Sequence, residues 1–167
     1  MPFPHRRFTI LVALTAALLA ACGGTSSPTS TTPTPLTVAQ VQARYTAAAT
    51  HYNQSEVLVA STENAACDAG SVTVSLTLCQ TALSGQRQLT ITYDNALRAI
   101  PLSGSAATDV TRLLGDDAAI EKLLEQAATA PAISVIATLQ TQVISLLATA
   151  STDATALRTA IGLSAPA

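Results

Sequence analysis

The chain of 167 residues is poor in aromatic side chains, with no tryptophan, two phenylalanines and three tyrosines. Both phenylalanines lie within the first eight residues, so Tyr45, Tyr52 and Tyr93 are the only aromatic residues of the remainder. Sites for sugars or nucleic-acid bases usually need several aromatic rings to stack on. This scarcity therefore argues against such sites, and the abundant alanine and leucine predict helices with a fine-grained aliphatic core.

Charged residues are also few, at 11% of the chain. Beyond position 22 there are six basic and ten acidic side chains, which gives a net charge of −4. Nucleic acids and anionic lipid surfaces attract clusters of cations. The sequence therefore predicts no nucleic-acid partner.

The N-terminal segment has the three-part pattern of a secretory signal peptide. Arg6 and Arg7 precede an apolar run, residues 8–21, that is too short to span a bilayer. The run closes on Leu19-Ala20-Ala21-Cys22. This stretch resembles the lipobox of bacterial lipoproteins, and the resemblance covers only about the first two dozen residues. It implies that Cys22 is acylated and becomes the new N-terminus.

Two or three acyl chains on Cys22 would hold the protein stably to a membrane. The resemblance therefore implies an exported protein, anchored by lipid to the cell membrane or outer membrane and facing the periplasm or cell exterior. Two alternatives stay open. An ordinary signal peptide could be cut after Ala21, leaving Cys22 as a free thiol, and Arg6-Arg7 could belong to a twin-arginine export signal.

Composition divides the chain into a signal peptide (1–21), a lipidated cysteine with a Ser/Thr/Pro-rich tether (22–36) and one domain (37–167). Residues 23–35 have no apolar side chain to bury, and their prolines block regular structure. We expect a disordered tether stiffened toward polyproline II, reaching at most ~3 Å per residue. It would hold the domain away from the bilayer.

Beyond the tether, apolar residues recur every three or four positions, as on one face of a helix. The spacing is found in residues 38–62, 76–100, 110–127 and 133–150. Short connections between such helices favour an all-α, antiparallel up-and-down bundle of about four helices. The residues assigned inward include Leu83, Leu97, Leu124 and Leu146.

The helix boundaries are predicted from capping residues. Thr37 is expected to cap the first helix, and Thr108 or Asp109 the third. Pro131 is expected as the first residue of the fourth, and residues 151–153 as a break or bend within it. Residues 72–78 also alternate like a strand, which leaves the start of the second helix open.

Cys67 and Cys79 are predicted to form a disulfide, because an exported chain with an acylated Cys22 has two thiols left to pair. Their midpoint is the expected turn between the first two helices, so the bridge would staple a hairpin. The alternative is a redox or metal-binding pair. The spacing is not Cys-x-x-Cys and no histidine is near in sequence, so no metal site is predicted.

His51 is expected at the surface, with a general-base role as the alternative. Ser55, one turn later, is a candidate only by residue type. The acidic residues of the third helix are expected to form a solvated face rather than a cation site. Asp117 is the exception, since its spacing turns it inward. With Gln86, Thr90 and Gln140 it is predicted to form a polar layer that fixes helix register.

These patterns favour a non-enzymatic interaction or structural module of the cell envelope, with a possible envelope-protein partner and no cofactor. One alternative is a bundle that binds a small ligand near Tyr52, Gln86, Tyr93 and Asp117. Another is a hydrolase that uses His51. A cavity lined by those four residues would favour ligand binding. A Ser or Asp side chain hydrogen-bonded to His51 would favour hydrolysis.

Overall fold

The computed structural model describes residues 35–68 and 74–164. The predicted signal peptide, Cys22 with its predicted acylation and nearly all of the predicted tether lie outside the described residues.

The described residues form four helices: α1 (Val38–Cys67), α2 (Leu76–Arg98), α3 (Gly104–Ala128) and α4 (Ile133–Ala160). The described residues contain no strand. Each helix packs against the next along the chain, whereas α1 and α4 touch much less. The predicted all-α helical bundle is confirmed.

The first two helices begin at side-chain caps. The Thr37 hydroxyl accepts a hydrogen bond from the Gln40 amide at 3.2 Å, and the Gln40 side chain accepts from the Thr37 amide at 2.9 Å. This reciprocal pair is a capping box, so the predicted cap is confirmed. At α2, the Ser75 hydroxyl accepts from the Leu78 amide at 3.4 Å. The strand alternative is therefore wrong from Leu76 onward.

The predicted start of α3 is wrong. The helix begins at Gly104, four or five residues before Thr108 and Asp109, and Gly104 adopts a φ of +60°. Asp109 does not cap because its carboxylate is buried and forms an ion pair with Arg112 one turn later.

The fourth helix begins at Ile133, two residues after Pro131, and continues without a break through residues 151–153. Of the predicted break or bend there, the break is wrong. The Thr152 hydroxyl donates to the Ala148 carbonyl at 3.1 Å, so it is satisfied within the helix. Asp153 faces Arg112, whose Nε lies 3.5 Å from Asp153 Oδ1.

A continuous aliphatic core joins the helices. Its most deeply buried aliphatic members are Leu83, Leu97, Leu124, Ile136 and Leu157. The inward assignments of Leu83, Leu97 and Leu124 are confirmed, but Leu146 is only half-buried. The reason is that α4 packs almost entirely against α3 and leaves much of its circumference uncovered.

Among the described helices, α4 is long and apolar enough to cross a membrane by length and composition alone, with a mean hydropathy of 1.6 in its most apolar window. One such helix is weak support for a membrane span, because apolar helices of soluble bundles share these properties.

The two cysteines of the domain are joined by a disulfide between the end of α1 and the first turn of α2. Both are buried, and the Ser75 amide beside them donates to the Ala66 carbonyl at 3.0 Å. This agrees with the predicted bridge. It fixes one end of the α1–α2 hairpin.

Candidate functional site

A cleft of about 310 Å³ lies where α1 and α4 separate. Side chains bridge the two helices on either side of it. Gln42 Nε2 donates to the Ile161 carbonyl at 2.9 Å, and Gln140 Nε2 donates to Glu63 Oε1 at 2.6 Å. All four helices contribute to the lining, including Tyr45, Tyr52, Tyr93, Asp117, Ala150 and Arg158.

The three tyrosines of the domain meet in this cleft. The rings of Tyr52 and Tyr93 lie 5.0 Å apart at an angle of 45°, and Tyr45 is close enough to contribute to the raised pKa of Tyr93. Burial raises the pKa of Tyr52 to about 12 and raises the pKa of Tyr93 further. Both side chains therefore remain neutral phenols at physiological pH, able to donate and to accept hydrogen bonds.

Two carboxyl groups form the polar floor beside the rings. Asp94 is fully buried, Asp117 is 7% exposed, and their side chains are in hydrogen-bond contact. Arg98 Nη2 donates to Asp94 Oδ2 at 3.0 Å. Asp94 Oδ1 and Asp117 Oδ2 are buried and have no donor among the described residues. Since two carboxylates cannot donate to each other, the contact requires a proton.

Electrostatics agree with a shared proton. Burial raises the pKa of Asp117 to about 8, and the hydrogen bond and charge of Asp94 add to that effect. Burial also raises the pKa of Asp94, while its bonds to Asp117 and Arg98 oppose the rise. The pair therefore holds one proton and one negative charge at neutral pH, as interacting carboxyls commonly do.

The neutral part of the polar layer lies next to Tyr52. Gln86 Nε2 is 3.5 Å from the Tyr52 hydroxyl. The Thr90 hydroxyl donates to the Gln86 carbonyl at 3.2 Å. Gln140 does not join this layer, because it bonds Glu63 instead.

Of the predicted candidates, Tyr52, Tyr93 and Asp117 line the cleft, whereas Gln86 lies beside Tyr52 and is not part of the lining. Sequence reasoning did not name Asp94 or Arg158 as members of the site. Arg158 lines the cleft with its guanidinium carbon 5.9 Å from the centre of the Tyr45 ring. The sequence feature that could have identified Asp94 is its place directly after Tyr93, next to the predicted apolar face of α2.

His51 lies on the exposed surface of α1, as predicted, beside a second cavity of about 180 Å³. In the described part of the chain, no carboxylate lines that cavity. Glu125 is exposed and lies 3.4 Å from Arg87, in keeping with a solvated acidic face. Among the described residues, no group of three or more His, Cys, Asp or Glu side chains could hold a metal ion.

Comparison with known proteins gives no relative to guide the assignment. No protein family, no curated protein and no solved structure matches the chain. The site is therefore interpreted from its own geometry.

Proposed function

We propose that this protein is a lipid-anchored protein of the cell envelope whose helical domain binds a small molecule in the cleft between α1 and α4. The observation that carries the proposal is the cavity lined by Tyr45, Tyr52, Tyr93 and Asp117. Its 310 Å³ falls at the lower end of the range for ligand pockets, roughly 300–1,000 Å³. Apolar ring faces beside a few convergent polar groups are typical of such pockets.

We propose that the cleft binds its ligand without catalysing a reaction. The cleft presents phenols and a carboxyl pair, while His51 lies outside its lining. A general base needs hydrogen-bond reach to the group it activates. A non-enzymatic receptor or carrier therefore fits these side chains better than a hydrolase does.

The envelope location rests on the resemblance of Leu19-Ala20-Ala21-Cys22 to a lipobox. Replacing Cys22 with Ser is expected to release the protein from the membrane fraction or to block its maturation, because the thioether needs the thiol. The intact mass of the wild-type protein should show acyl chains on Cys22. A Cys22→Ser protein that matures and fractionates like wild type would contradict the anchor.

An envelope-protein partner is the second candidate function. Val57 and Leu58 are adjacent on α1 and are 64% and 72% exposed. Single exposed apolar residues are common, but a neighbouring pair is a reasonable contact point. Replacing both with Ser should reduce in-cell crosslinking to a partner if α1 forms that interface. Unchanged crosslinking would argue against it.

Tyrosine fluorescence gives a direct test of ligand binding, because all three tyrosines of the domain line the cleft and the chain has no tryptophan. The purified protein would be titrated with fractions of the small-molecule extract of its own cells. We expect at least one fraction to change the fluorescence saturably. No response in any fraction would contradict the proposal.

A matched pair of α4 variants locates the response. Ala154 is half-buried and lines the cleft, whereas Ala148 is exposed and does not. Ala154→Leu should fill part of the cavity and abolish the response, and Ala148→Leu should leave it unchanged. A response that survives Ala154→Leu would place the binding elsewhere.

A further inference from the structure

We infer that the cleft takes a small organic cation, a protonated amine, with its ammonium group held between the tyrosine rings and the carboxyl group of Asp117. The inference rests on the proposed function and adds the chemical class of the ligand. It is carried by a buried carboxyl group whose donor is a shared proton, by the charges around it and by the aromatic faces beside it.

The first observation is Asp117 itself. It is more than nine-tenths buried, it lines the cleft, and its Oδ2 atom has no donor among the described residues other than the proton shared with Asp94. A buried carboxyl oxygen needs a donor, and native sites normally supply one. An ammonium group can replace the shared proton, because it supplies both a hydrogen bond and a positive charge.

The second observation is the charge balance around the Asp94–Asp117 pair. The ionisable groups around the pair and Tyr52 are Glu56 from α1, Arg98 from α2, Asp116 and Glu121 from α3, and the three tyrosines, and Arg87 from α2 acts on Glu121. Of the described cations, Arg98 is the one that bonds the pair. The carboxylates outnumber these two cations, so the charge around the pair is negative and favours a cationic ligand.

Arg158, from α4, bonds another group rather than the carboxyl pair. Its guanidinium donates twice to the Ser164 carbonyl, at 3.2 and 2.9 Å, and lies over the Tyr45 ring. It does show that a cation is accommodated against a ring of this cleft, since 5.9 Å is within the usual cation–π range of about 6 Å. Tyr52 and Tyr93 offer further rings beside Asp117.

A bound amine and the shared proton compete for the same negative charge. When the ammonium ion binds, the proton of the carboxyl pair leaves to solvent, and no covalent bond other than that O–H changes. The pKa of Asp117, raised by burial to about 8, sets the pH below which the proton must be displaced. The apparent affinity should therefore rise up to about tenfold per pH unit below pH 8 and level off above it.

Three probes of matched length test this inference: n-butylammonium, 1-butanol and butyrate. Each would be titrated into the purified full-length protein from pH 6 to pH 9, with tyrosine fluorescence as the readout. The raised pKa values of Tyr52 and Tyr93 keep these phenols neutral over that range. We expect n-butylammonium to bind at least tenfold more tightly than either other probe at pH 8.5, and with rising affinity as the pH increases.

Asp117→Asn keeps the shape of the side chain and removes its charge. It should weaken n-butylammonium binding at least tenfold at pH 8.5 and make the remaining affinity independent of pH. Glu125→Gln, on the exposed face of the same helix, is the matched control and should bind like wild type. Far-UV circular dichroism of each variant checks that the helices are retained.

The outcomes separate the two proposals. Equal binding of n-butylammonium and 1-butanol, or preferred binding of butyrate, would overturn the cation inference and leave a cleft that binds other ligands. The inference would also fail if n-butylammonium did not bind while an extract fraction did. Failure of every probe and every fraction would overturn the proposed function itself.

Discussion

The helices α2 and α1 are buried to very different extents. In α2, seven of the 23 residues are buried, including Leu83, Leu89 and Leu97. In α1, only three of the 30 residues are buried, namely Tyr45, Ala66 and Cys67. Aliphatic packing therefore holds α2 and α3, whereas α1 is held by a disulfide, aromatic contacts and polar bridges. The cleft lies where the aliphatic packing is lacking.

This difference suggests a division of roles within one small domain. Close packing gives a rigid support, and a loosely packed helix leaves room for a ligand. Asp94 and Asp117 project from the rigid helices α2 and α3, while Tyr45 and Tyr52 come from α1. If the cleft binds a ligand as proposed, its carboxyl groups come from the closely packed helices and two of its three tyrosines come from the loosely packed one.

Truncation of core leucines should give the largest effect. Leu97→Ala removes a fully buried side chain from α2 and should lower the free energy of unfolding by ~2–5 kcal/mol. Leu58→Ala on α1, at a position that is 72% exposed, should change it by no more than about 0.5 kcal/mol. Chemical denaturation measures both values. Similar losses for the two variants would remove the contrast between the helices.

The pH dependence of stability tests the carboxyl pair. The folded-state pKa of Asp117 lies above its ordinary value of 3.8, so folding favours the protonated form. That stabilisation is complete at low pH and is lost as the pH rises to about 8. Without ligand, we expect a decline of at most ~1.4 kcal/mol per pH unit, or about 4 kcal/mol from pH 5 to 8.

Asp117→Asn should flatten this pH profile, because an amide donates to Asp94 without titrating. Denaturation curves at several pH values compare the variant with wild type. A wild-type protein that becomes more stable from pH 5 to pH 8 would contradict a shared proton at this site.

Reduction of the disulfide should have the next largest effect. The bridge spans 12 residues and should contribute ~3 kcal/mol. Because it ties α1 to α2, reduction should speed amide hydrogen exchange in α1 more than in α3. The double variant Cys67→Ala/Cys79→Ala should be insensitive to reductant. Equal acceleration in all helices would mean that the bridge supports the whole bundle.

The smallest effect is expected at the polar bridge between α1 and α4. Gly162 has a φ of +78°, and an added Cβ would lie 3.1 Å from Gln42 Nε2. Gly162→Ala should therefore cost ~1–2 kcal/mol through backbone strain and displacement of Gln42. Gly115→Ala, inside α3 with open space around it, should instead stabilise by up to about 1 kcal/mol. Thermal denaturation should show a lower melting temperature for Gly162→Ala and a higher one for Gly115→Ala.

The helices and much of the site could be predicted from the sequence because a one-sided 3–4 pattern describes a helix with one packed face. Leu83, Leu124 and Asp117 follow that pattern and are buried. Asp94 was missed because α2 packs against both α1 and α3 and so buries two faces. The 3–4 pattern of apolar residues describes only one of these faces.

Helix boundaries depended on tertiary contacts that local spacing does not encode. Asp109 has the chemistry of a cap, but its carboxylate is used by Arg112. The cleft could not be predicted because it arises from the separation of α1 and α4. That separation is set by the packing of the whole bundle and not by the sequence of any single helix.

Nuclear magnetic resonance of ring-labelled tyrosine, with isoleucine methyl labels, tests the central claim most directly. The domain has three tyrosines, all in the cleft, and Ile136 is fully buried on α4, about 20 Å along the helix from Ala150. Titration with n-butylammonium at pH 8.5 should shift the Tyr45, Tyr52 and Tyr93 signals saturably and leave Ile136 unchanged. Tyrosine signals that stay fixed at saturating n-butylammonium would contradict a cation-binding cleft between α1 and α4.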